Sequence, residues 1–292
     1  MTKSRGMGPA DAADAADAAD AADAAGNVAA VALQTGQVRP IGISPELVKL
    51  PGEDWWRGNE WPPADWAGAW RNTHAHKFPR RAWSAYNYSI TVLAEFVSIP
   101  GWDQIVLPPF PAGAALKQEL DDLAALVEYR SGVMDEALAQ RNNIVEYWRG
   151  LLMFSQVSHP ATYDLAQIAL LVGQFQAMHY KRKFNRPRAS QLSLAIMPPI
   201  DPPGHASYPS GHATESYLIS RVLTQVMPVA AAVPLQRLAD RIARNREVLG
   251  MHYRSDSEAG RTLAEQTFPL LSGCPSVVTL IKDGKKEWAP RN

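Results

Sequence analysis

An all-α fold with a bundle-like core is what this sequence predicts, on three observations. From about residue 110 onward apolar side chains recur at threes, fours and their sums, strand-like alternation is scarce, and Pro, Ser and Asn fall where the periodic runs start or stop. At 292 residues and 46% apolar content the chain has enough material for a real core.

Residues 1 to about 40 place Asp at 11, 14, 17, 20 and 23 with Ala-Ala between, which would wind acid around every side of a helix. No apolar stripe is left to bury, so a disordered tail is expected there. Residues 41–110 carry Trp55, Trp56, Trp61, Trp66, Trp70 and Trp83 among Gly, Pro and Asn, the texture of an irregular segment packed on a helical body. Large apolar anchors explain these tryptophans better than a stacking platform for sugars or bases. His74 and His76 have no third ligand spaced nearby and do not make a metal site.

A helical domain is expected over 111–272, followed by a C-terminal tail over 273–292. Leu116, Leu120, Leu123, Val127, Met134 and Leu138 predict one helix ending at Asn142-Asn143, with a second through Trp148 to Phe154. After Pro160, the series Leu165, Ile168, Leu171, Phe175 and Met178 runs toward Lys181. Ser210 is placed to cap a helix containing Leu218, Val222 and Val226, closed by Pro228. Pro234 opens another, with Leu235, Leu238, Ile242 and Leu249 on one side, and Ser255 or Asp256 caps the last, to about Leu271.

Lys plus Arg equals Asp plus Glu at 29 each, so no global field favours nucleic acid or anionic lipid. Five cations in eight residues, Lys181, Arg182, Lys183, Arg186 and Arg188, would suit a nucleic-acid surface, but they leave the histidines discussed below unexplained. The single cysteine, Cys274, rules out an intramolecular disulfide framework and reads as an ordinary thiol. No apolar run is long enough to span a membrane, and Lys3 and Arg5 precede an acidic repeat in place of a secretory h-region. The expectation is a soluble, cytoplasmic protein, or a periplasmic one were the chain to start elsewhere.

Extending the apolar series of two helices places Lys181 and Arg246 on inward faces. A cation there costs several kcal/mol unless paired, and no adjacent carboxylate pairs with either, so a bound oxyanion is the natural partner. Pro209-Ser210-Gly211-His212 adds a histidine at a helix start, and His252 follows Arg246 after five residues. These parts suit phosphate-ester cleavage: His252 as nucleophile, Asp256 orienting it, His212 as general acid and base, and Lys181, Arg188, Arg246, Ser210 and the Gly211 N–H around the oxygens. No metal is required. Glu215 reads as a helix-surface residue, and His205 as a loop histidine that would at most line the mouth.

Lys181 with six residues to Arg188, then Pro209-Ser210-Gly211-His212, then Arg246 with five residues to His252, resembles the three-part signature of the type 2 phosphatidic acid phosphatase and vanadium haloperoxidase superfamily. Two departures are Ala189 where the family has Pro after Arg188, and Asn245 where it has Ser before Arg246. An alternative register on Arg186-Pro187 would require Lys at the position of His179. The resemblance implies the same roles, with His252 either phosphorylated or bound to vanadate as cofactor. Arg186 and Arg188 flanking one residue resemble the soluble bacterial acid phosphatases, and Pro187 stands where haloperoxidases often carry Trp. The expectation is a phosphatase acting on a small phosphorylated substrate with no cofactor. Its alternative is a vanadate-dependent haloperoxidase using peroxide and halide.

Overall fold

The computed structural model describes residues 78, 80–142 and 144–289. The Ala/Asp repeat, Trp55 to Trp70 and the His74/His76 pair lie outside the described residues. From Ala85 on, the described residues form one compact unit; those before it belong to a separate unit and contain a 3-10 turn, Arg80–Ala82, with Phe78 edge-on to Trp83. Among the described residues no strand occurs, so the fold is all-α.

The helices are α1 (Ala85–Val97), α2 (Gly113–Ala125), α3 (Arg130–Asn142), α4 (Ile144–Leu152), α5 (Pro160–Phe184), α6 (Ala189–Leu192), α7 (Gly211–Leu223), α8 (Ala232–Val248), α9 (Arg254–Ser272) and α10 (Pro275–Glu287). Three findings correct the expected layout. The single helix expected before Asn142 is two, because a 3-10 turn at Val127–Tyr129 interrupts it without disturbing the apolar spacing. Residues 85–97, expected to be irregular, form α1, which buries Val92 and Phe96. Residues 275–287, expected as tail, form α10, with Pro275 at its first turn and Val277, Leu280 and Gly284 buried.

The central helix is α7. It is the most enclosed, with Leu218, Ile219, Val222 and Leu223 in the main core cluster, and α5, α8 and α9 pack around it. Two glycines allow the close approaches. A Cβ on Gly173 of α5 would lie 3.0 Å from the Glu215 backbone, and one on Gly260 of α9 would lie 2.8 Å from the Ser210 carbonyl oxygen. At the other end, Glu287 of α10 accepts the N–H groups of Ala161 and Thr162 at 2.7 and 3.0 Å, supplying a carboxylate to the open N-terminus of α5. No described helix is long and apolar enough to cross a membrane.

Candidate active site

The three parts of the signature meet at the N-terminal end of α7. Ser210 caps that helix, its Oγ accepting from the Ala213 N–H at 3.3 Å, and its own N–H bonds the Asp256 carbonyl oxygen at 2.9 Å. This second bond ties the start of α7 to the start of α9, while Gly250, at φ +75°, turns the chain out of α8 toward His252. A cavity of about 50 Å³ lies between them, lined by Arg141, Arg188, Ile200, Asp201, Pro203, His212, Arg246, Met251 and His252.

His252 is buried, with Nδ1 at 3.0 Å from Asp256 Oδ2. That carboxylate oxygen also accepts the Ser207 hydroxyl and, at 3.2 Å, the Tyr253 N–H. Asp256 can only accept here, so the proton sits on Nδ1 of His252, and Nε2 keeps its lone pair. Burial, and then the neighbouring Lys181, Arg188, His205 and Arg246, hold this imidazole well below the usual histidine range. His212 is likewise held well below that range, by burial and then by Arg246 and His252. Its Nε2 lies 3.2 Å from the Gln140 carbonyl oxygen, which only accepts, so Nδ1 is the basic nitrogen of the neutral ring.

The cations are held by backbone carbonyls. Lys181 donates to the carbonyls of Ala206 and Ser207 at 2.8 and 2.9 Å, and burial together with Arg188 brings its pKa down to about 7. Arg188 donates to the carbonyls of Met251 and His205 at 2.8 and 3.1 Å, and to His205 Nδ1 at 3.1 Å. Arg246 donates to the Ala137 carbonyl, while its buried Nε has no hydrogen-bond partner among the described residues. Burial lowers Arg188 and Arg246 to about 10 each. Buried guanidinium groups with donors to spare, clustered around two neutral imidazoles, form a ready receptor for a tetrahedral oxyanion.

Arg188, Arg246, His212 and His252 thus share one cavity wall, with Asp256 directly behind His252. Lys181, Ser210 and Gly211 do not line the cavity; Lys181 and Ser210 brace the surrounding loop and helix start. Arg188, not Arg186, lines the cavity; Arg186 lies behind it, bonded to Asp256 at 2.7 Å. Lys181, Arg186 and Arg188 are buried, so the basic run is no continuous surface. Glu215 is half-buried beside Gly211, and its charge acts on both Lys181 and Arg246, which corrects its reading as a surface residue. Sequence reasoning missed Arg141, Ser207 and the Gln140 carbonyl. Only Arg141, an uncompensated cation in the last turn of a helix, left a signal in the sequence.

Fold and site together define an all-α protein with a buried cationic pocket around two neutral histidines. No protein-family model matches the chain. Over 138 residues it is 28% identical to a non-specific acid phosphatase of Salmonella typhi, a match covering 46% of this chain and 55% of that one. A bacterial vanadium-dependent iodoperoxidase structure is 19% identical, with a TM-score of 0.46, over 59% of this chain and 54% of that one. The chain spans about half the length of these relatives. The assembled three-part signature on an all-α fold resembles that of the type 2 phosphatidic acid phosphatase and vanadium haloperoxidase superfamily, a likeness that the acid phosphatase relative supports.

Proposed function

We propose that the chain hydrolyses phosphate monoesters through a phosphohistidine at His252. The observation that carries this reading is the bond from His252 Nδ1 to Asp256, which leaves Nε2 as the nucleophilic nitrogen of a residue lining the cavity. The acid phosphatase name of the Salmonella typhi relative supports it.

Nε2 attacks phosphorus, the bond to the leaving oxygen breaks, and a proton from His212 passes to that oxygen. His212 is neutral in the free protein, so it must take up this proton with the substrate, whose negative charge favours the imidazolium. Water then attacks the phosphohistidine, His212 takes a proton from it, and the P–N bond breaks to release phosphate. Arg188, Arg246 and Arg141 neutralise the phosphoryl oxygens, each such contact contributing about 10²- to 10³-fold in rate. The reaction as written draws its positive charge from these side chains and uses no metal.

Vanadate shares the charge and shape of phosphate and fits the same donors. Held by His252, it would supply peroxide activation for halide oxidation. Two assays separate these chemistries: aryl phosphate hydrolysis, and bromination with vanadate and peroxide, each on wild type and His252→Ala. The expected result is phosphatase turnover that is lost in His252→Ala. Vanadate-dependent bromination without phosphatase turnover would overturn the proposal.

A further inference from the structure

Glu119 lies in α2, outside all three parts of the signature, yet it holds two components of the support behind His252. Its Oε2 accepts from Arg186 Nη2 at 2.8 Å, and its Oε1 accepts the Ser255 N–H at 2.8 Å. Arg186 in turn donates from Nη1 to Asp256 Oδ1 and to Ser255 Oγ, both at 2.7 Å. Its guanidinium carbon lies 3.6 Å from the Tyr253 ring centroid and 4.9 Å from that of Phe110, and the side chain is 2% exposed. The chain of contacts therefore runs from Glu119 through Arg186 and Asp256 to His252 Nδ1.

Charge decides what this chain does. With Asp256 alone, Arg186 would form a neutral buried pair, and the carboxylate would be committed to the guanidinium. Glu119 supplies a second carboxylate to the same cation, so the group keeps one net negative charge opposite His252. That charge is needed when Nε2 bonds phosphorus, because Nδ1 keeps its proton and the ring turns cationic. We propose that Glu119 is a positioning residue that acts through Arg186 to hold Asp256 aligned on His252 and to keep a net negative charge behind that ring. The inference rests on the proposed role of His252.

Glu119→Gln tests it, because glutamine fits the same space and its single oxygen can still accept from Arg186, while the charge and the acceptor for the Ser255 N–H are both lost. The expected result is a kcat for aryl phosphate reduced about tenfold with KM little changed, as for loss of a group supporting a reacting residue. The low-field Nδ1–H proton resonance of His252, assigned by its absence in His252→Ala, should move upfield. In an Asp256→Asn background the same substitution should have little further effect. Arg186→Lys, which keeps the charge but loses the planar fork, should reproduce the pattern and serves if Glu119→Gln does not fold.

An unmoved resonance overturns the proposal whatever happens to activity. A moved resonance with unchanged kcat, in an enzyme that His252→Ala inactivates, overturns it too. So does an undiminished effect in the Asp256→Asn background. Turnover that survives His252→Ala refutes the nucleophile assignment instead, and the resonance alone then decides whether Glu119 governs the pair.

Discussion

At the scale of single residues, the site is a set of protonation states fixed by burial. His212 and His252 both hold pKa values well below 6.5, so below that pH the unfolded chain takes up protons that the folded chain refuses. Stability should therefore fall as pH drops through 6.5, and continue falling until the folded histidines titrate. Melting temperatures at descending pH check this, and added phosphate should shrink the fall by favouring the imidazolium forms. Asp256→Asn should remove the bond that fixes the His252 tautomer and lower the rate by up to about 10⁴-fold, as a wrong-tautomer substitution does in a histidine–aspartate pair. Rates from single-turnover kinetics test it. Both histidines and Asp256 were legible because spacing brings them to one end of a bundle. Ser207 and the carbonyl of Gln140 were not, since a hydroxyl in a loop and a backbone oxygen leave no pattern in a sequence.

At the scale of elements, close contact between helices governs alignment. Alanine at Gly260 would put Cβ 2.8 Å from the Ser210 oxygen and 3.0 Å from the Thr214 nitrogen, both backbone atoms that cannot swing away. Gly260→Ala should force α9 off α7, cost about 1–3 kcal/mol by overpacking, and lower activity by moving His252 relative to His212. Gly150→Ala in α4, where nothing among the described residues lies within 4 Å, should instead stabilise by about 0.4–1 kcal/mol and leave turnover unchanged. Denaturant melts with parallel assays separate the two. The 3.6-residue period revealed α5, α7, α8 and α9 because each buries an apolar stripe. It failed at Val127–Tyr129, where a 3-10 turn without Pro or Gly keeps the stripe in phase across a break. It also failed at α10, whose lysines mask a buried face; what fixes that helix is Glu287 at the start of α5.

At the scale of the whole molecule, cations on separate elements converge on one pocket, and their mutual repulsion is part of the free energy of the ligand-free fold. Lys181 and Arg246 were legible as charges on apolar stripes, whereas the convergence of Arg141 depended on where α3 ends. A tetrahedral oxyanion should relieve this repulsion. Phosphate at 100 times its Kd would add about 2.7 kcal/mol, or about 5–10 °C in melting temperature for a domain of this size. Chloride at equal ionic strength should not. Arg246→Met is the sharper test, because the guanidinium is buried with an Nε that has no partner among the described residues, and an apolar chain of similar length has no charge to desolvate. This variant should melt at or above wild type without phosphate and lose the phosphate-induced shift. Were it to melt well below wild type yet keep the full shift, Arg246 would be a structural cation, and the pocket's affinity for oxyanions would have to come from Arg188 and Arg141 alone.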